Sequence, residues 1–99
     1  MGWDIEFTDE FEGWWSGLTE SEQGKVDAAV RALEASGPNL PYPLSSDVKG
    51  SRHGQMRELR IQAHGRPFRV LYAFNPKRNA ILLVGGDKTG NDRWYEVNV

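Results

Sequence analysis

Ninety-nine residues, 26% charged and 38% apolar, are enough for one small globular unit around one core, so residues 1–99 are read as a single domain. The lack of cysteine excludes a disulfide framework and a thiolate metal site, and two isolated histidines make no zinc ligand set, so neither metal nor cofactor is expected. Net charge is −2, but residues 1–48 hold ten acidic against two basic side chains (−8) and residues 49–99 ten basic against four acidic (+6), a division that either neutralises itself across the fold or leaves a basic face for a polyanion.

The N-terminal M-G-W-D-I-E-F has no basic region and no apolar run of signal or membrane-spanning length, which makes the cytoplasm the expected compartment and a membrane an unexpected partner. Residues 3–7 alternate apolar and acidic side chains with period two, the pattern of a first strand. Thr8 can cap a helix with Asp9, Glu10 and Glu12 in its first turn and Phe11, Trp14, Trp15 and Leu18 on one stripe; Gly17 ends it. An aromatic stripe at helical spacing is far more often core than a ligand box. Thr19-Glu20-Ser21-Glu22 fits a capping box opening a second helix, whose stripe Val26, Ala29, Val30 and Leu33 runs to the stop signal Gly37-Pro38.

N-L-P-Y-P-L-S-S, residues 39–46, reads as a surface connector, because its prolines remove donors and bias their neighbours to extended backbone. Three runs of strand character follow, at residues 55–62, 68–74 and 80–84. His64-Gly65 suits a tight hairpin turn, with His64 structural or inert, and residues 75–79 a longer turn. The last residues begin as a loop and close in a short strand or helical turn. The order β-α-α-β-β-β predicts an α+β layer structure, an antiparallel meander with a two-helix hairpin on one face and the other face open.

A two-residue turn at His64-Gly65 makes opposed residue numbers sum to 129. Leu59 then faces Val70, Ile61 faces Phe68, and Arg60 lies directly across from Arg69 on the side away from the apolar set. Two opposed like charges destabilise a sheet unless Glu58 or a bound anion lies between them. Arg57, Arg60, Arg66 and Arg69 fall within thirteen residues, Lys49, Arg52 and His53 precede them, and Lys88 and Arg93 follow the last strand. Singly, each arginine reads as a surface salt-bridge residue; as a cluster with only Glu58 among them, they point to phosphate, for which planar guanidinium forks are suited.

The segments D-V-K-G-S-R-H-G-Q-M-R-E-L-R, G-R-P-F-R-V-L-Y-A-F and I-L-L-V-G-G-D-K-T-G resemble the RelE/ParE superfamily, specifically its HigB-like, phage Gp49-related toxins. The resemblance implies a RelE-like fold and a ribosome-dependent mRNA endonuclease neutralised by a cognate, HigA-like antitoxin, with operator DNA bound only through that antitoxin. It also implies that Arg60 and Arg69 are phosphate-binding arginines, Lys49 and Lys88 a basic rim, and Tyr95 a C-terminal aromatic or acid–base residue.

The chemistry is consistent with that. RNA carries its own nucleophile, the ribose 2′-hydroxyl, so cleavage needs a proton acceptor, cations for the phosphorane and a donor for the leaving 5′-oxygen. Arg60 and Arg69 are expected on the phosphorane, Lys88 as electrostatic support and His53 or Tyr95 as proton-transfer partner. Lys49, Arg52, Arg57, Arg66 and Arg93 are expected on RNA, and Trp94 and Tyr95 either stack on a base or pack over the sheet edge. A ParE-like gyrase poison and an inactive phage-derived protein-binding module are the alternatives.

Overall fold

The computed structural model describes residues 2–48 and 56–87. In chain order the elements are β1 (Asp4–Phe7), α1 (Asp9–Ser16), α2 (Glu20–Ser36), a 3-10 turn (Gly37–Asn39), β2 (Ser45–Asp47), β3 (Arg57–Ala63), β4 (Arg66–Phe74) and β5 (Asn79–Asp87). The five strands form one sheet in the order β1-β5-β4-β3-β2. The α+β meander under a helical hairpin is therefore as expected, with two additions. Ser45–Asp47, inside the predicted connector, pairs antiparallel with β3, and β1 joins the far edge parallel to β5.

Local signals account for the helices. The Thr8 hydroxyl accepts from the Phe11 N–H at 3.1 Å and donates to the Leu83 carbonyl at 2.5 Å, so one side chain starts α1 and ties it to β5. Thr19 and Glu22 form the reciprocal capping box of α2. Phe11, Val26, Ala29, Val30 and Leu33 are buried against Leu59, Ile61, Phe68, Val70, Tyr72, Ala80 and Leu82, so the predicted stripes are core, with Trp14, Trp15 and Leu18 packed at its edge. Gly85 lies where the Trp14 ring meets β5; a Cβ there would overlap the indole. No described helix is long and apolar enough to cross a membrane.

The capping box gives α2 a pH dependence. The Thr19 backbone N–H, donating to Glu22 at 2.8 Å, holds that carboxyl below its ordinary value of 4.5; the Thr19 hydroxyl, Arg66 and His64 act in the same direction, and burial opposes them. A carboxyl whose folded-state value is depressed contributes its stability in full above about pH 4.5 and loses it as pH falls through the lower folded value. Urea titrations should therefore find Glu22→Gln less stable than wild type near neutrality, with the gap closing below about pH 4.5. A gap independent of pH would remove the carboxylate from this account.

Candidate nucleic-acid interface

The β3–β4 hairpin turns at His64 and Gly65, both at positive φ (53° and 81°), and His64 meets the Ser21 hydroxyl of α2 at 2.8 Å. The register is the expected one: Leu59 opposes Val70, Ile61 opposes Phe68 and Arg60 opposes Arg69. Because Leu59, Ile61, Phe68 and Val70 enter the core beneath the helices, Arg60 and Arg69 project from the opposite face.

That face is not the bare surface expected. Glu58 is 4% exposed, Arg69 7%, and Leu71, which opposes Glu58, is fully buried. Arg60 is the accessible member of the pair, with a side chain 32% exposed; its Nη1 lies 3.5 Å from Glu58 Oε1. Glu58 thus supplies part of the neutralisation that two opposed guanidinium groups require. Arg69 Nη1 donates to the Phe68 carbonyl at 2.8 Å, while its Nε is buried without a hydrogen-bond partner among the described residues. An orphaned buried donor costs about 1–3 kcal/mol, so the folded chain carries a buried guanidinium N–H, beside Arg60, that lacks an acceptor among the described residues.

The other two arginines of the cluster lie elsewhere. Arg57 opposes the core residue Tyr72, placing it on the helix-facing side, where its Nε donates to Ser45 Oγ at 3.0 Å and its guanidinium pairs with Asp47. Ser45 Oγ in turn meets the Tyr72 hydroxyl at 2.5 Å, a buried contact that fixes β2 to the sheet. Arg66 shares the face of Phe68, lies over its ring at 5.3 Å, and bridges Glu22 at 3.0 Å and Asp87 at 2.7 Å. The structure does not bring Arg57 or Arg66 together with Arg60 and Arg69. A period-two strand sends odd and even positions of β3 to opposite faces, so neighbours in sequence are divided by the sheet. Lys49, Arg52, His53, Lys88, Arg93, Trp94, Tyr95 and the predicted closing strand or turn lie outside the described residues.

Sequence reasoning passed over Tyr42. It lies in the connector ahead of β2, is 71% exposed, and has the Arg60 guanidinium 5.5 Å from its ring centroid. An aromatic held between two prolines in the connector was the available signal.

A family model described as phage derived protein Gp49-like (DUF891) matches residues 13–99. The chain belongs to the Gp49-like family. Two Mycobacterium tuberculosis (strain ATCC 25618 / H37Rv) proteins bearing the names toxin HigB2 and toxin HigB3 are homologous to this Gp49-like chain. HigB2 is 40% identical over 101 residues, covering all of the chain and 50% of HigB2; HigB3 is 43% identical over 89 residues, covering 89% of the chain and 76% of HigB3. The Gp49-like chain thus spans about half the length of HigB2.

Among solved structures, a mutant of the E. coli toxin RelE in the free state superposes with a TM-score of 0.68 at 11% identity, covering 97% of this chain and 94% of RelE. RelE in the archaeal RelE–RelB complex from Pyrococcus horikoshii OT3 gives 0.63 at 15% identity, covering 90% and 98%. The intact E. coli RelBE toxin–antitoxin complex gives 0.60 at 13% identity, covering 85% and 94%. At these identities the likeness is one of fold, and the Gp49-like chain has the RelE-like fold its sequence led one to expect.

Proposed function

We propose that this chain is the toxin of a type II toxin–antitoxin pair and that it cleaves ribosome-bound mRNA through attack of the ribose 2′-hydroxyl, without a metal, until an antitoxin neutralises it. Its kinship with toxins HigB2 and HigB3 supports the first part. One observation carries the second: Arg60 and Arg69 stand opposite each other on the face away from the helices, the deeper one with a buried N–H lacking an acceptor among the described residues. A phosphate oxygen between them would relieve the like-charge repulsion and offer the missing acceptor at once.

In this reading the accessible Arg60 meets the phosphate directly. Arg69 acts from beneath, where limited solvent screening makes each charge more effective on negative charge developing in the phosphorane. His53 or Tyr95 exchanges the protons, Lys88 supports the phosphorane electrostatically, and Lys49, Arg52 and Arg93 hold flanking phosphates. Arg57 and Arg66 are assigned to the fold instead, by their ion pairs on the helix side. The partner is a HigA-like antitoxin; the solved RelE–RelB and RelBE complexes are the precedent for such a pair on this fold.

The test is cell-free translation of a pre-made, end-labelled mRNA. Shortening of the message only when ribosomes engage it is the expected result. Arrest of growth with an intact message and inhibited gyrase would replace the nuclease by a gyrase poison.

A further inference from the structure

We propose that Tyr42 is a stacking platform for one nucleobase of the RNA strand, placed next to the phosphate that Arg60 contacts; this rests on the reading of Arg60 given above. Large apolar and aromatic side chains are otherwise well covered: among the described residues, the exposed ones are Phe7, on β1 at the far edge, and Tyr42. Phe7 belongs to the β1–α1–α2 side, lining a groove with Ile5, Phe11, Trp15 and Val30. Of these two, Tyr42 is the one that borders the arginine face.

Its position is built rather than incidental. Pro41 and Pro43 flank it and limit the backbone on both sides. The Ser45 N–H donates to the Pro41 carbonyl at 3.1 Å, closing the turn that carries the ring. The Arg60 N–H donates to the Leu44 carbonyl at 2.8 Å, fastening the turn to β3 at the residue whose guanidinium lies over the ring. The ring therefore has a cation 5.5 Å from its centroid while 71% of the residue remains exposed to solvent.

A guanidinium beside an accessible aromatic offers a nucleotide two complementary groups at once, charge for its phosphate and a π-face for its base. Stacking of this kind tolerates every base, so Tyr42 would seat a nucleotide without choosing among the four. Any sequence preference of the enzyme must then come from other side chains or from the ribosome.

The experiment uses ribosomes programmed with an mRNA carrying 2′-O-methyl groups in the A-site codon, which can bind but cannot supply the attacking hydroxyl. A parallel set carries an abasic nucleotide at each A-site position in turn. Binding of the full chain is measured for wild type, Tyr42→Ala, Tyr42→Trp and Tyr42→Leu. Tyr42→Ala and Tyr42→Leu are expected to weaken binding about 5- to 100-fold, with Tyr42→Trp near wild type. At one abasic position wild type and Tyr42→Ala should bind equally. Equal loss on base-bearing and abasic messages would mean that Tyr42 only positions Arg60, and would overturn the platform; so would an unchanged affinity, or no binding by wild type. Cleavage of unmodified mRNA is followed separately. Tyr42-dependent, base-dependent binding without cleavage would remove the nuclease reading and leave the platform standing, whereas cleavage without base dependence at Tyr42 would do the reverse.

Discussion

The double variant Arg60→Ala plus Arg69→Met is expected to remain folded and to lose growth arrest and mRNA shortening together. Removing one preorganised donor from a developing oxyanion typically lowers a rate by about 10²–10³. Two groups acting on one phosphate are not additive, so the pair should lose about 10³-fold or somewhat more, rather than the product. The substitutions differ because the sites differ. Arg60 is partly exposed, so alanine leaves little void, while Arg69 is nearly enclosed and methionine keeps most of its volume as it removes the guanidinium with its orphaned N–H. The buried Glu58 carboxylate loses the Arg60 guanidinium in this variant, so Tm should fall, and cleavage is compared at a temperature where the variant is folded. Arg66→Ala is the counter-experiment. It breaks the bridges to Glu22 and Asp87 on the helix side, and so should lower Tm while leaving cleavage within a few-fold of wild type. Cleavage retained by the folded double variant, or abolished by Arg66→Ala at a temperature where that variant is folded, would move the site off this face.

The contrast between these arginines shows what the sequence could and could not convey. The register of β3 and β4 was legible because two independent constraints agreed: His64-Gly65 suits a two-residue turn, and only one register gathers Leu59, Ile61, Phe68 and Val70 on one side. Both helix starts were legible because Thr8 and Thr19 act on backbone groups three residues away. The same parity argument sends Arg57 with Leu59 and Arg66 with Phe68, so the separation of the four arginines was implicit in the register; grouping them by closeness along the chain discarded it.

Other features depend on partners far away in sequence. Four residues of β1 carry no information about which strand they will join, and their parallel partner β5 lies more than seventy residues further along the chain, as in Asp4 opposite Asn79. The edge strand β2 exists through Ser45 meeting Tyr72 and Arg57, contacts that span 27 and 12 residues. The burial of Glu58 and Arg69 was equally hidden, since charged residues are rarely enclosed without a tertiary reason.

Gly37→Ala is expected to cost about 2–5 kcal/mol of stability, because it meets two penalties together. Gly37 ends α2 at φ 53° and ψ −132°, where its N–H donates to the Leu33 carbonyl; a side chain in that region of backbone space is strained by about 1–3 kcal/mol. The added methyl would also overlap the indole of Trp3. That ring cannot easily yield. Phe74 packs against it with centroids 4.8 Å apart, the Arg78 guanidinium lies 4.7 Å from its centre, and the backbone that carries it is held by the Trp3 main-chain N–H donating to the Glu34 carbonyl of α2 at 2.8 Å. For a chain of this size the loss corresponds to a Tm lower by roughly 10–30 °C. Placing Gly37→Ala in a Trp3→Ala background separates the two penalties: the backbone part remains while the overlap disappears, so the second substitution should cost about 1–3 kcal/mol less than in wild type. Strictly additive costs would mean that the indole swings aside, and a Tm within a few degrees of wild type would mean that α2 ends differently from the structure. Either outcome would loosen the junction through which α2 holds β1 beside β5, whereas the predicted coupling makes Trp3 and Gly37 the clamp that closes the edge of the sheet opposite β2.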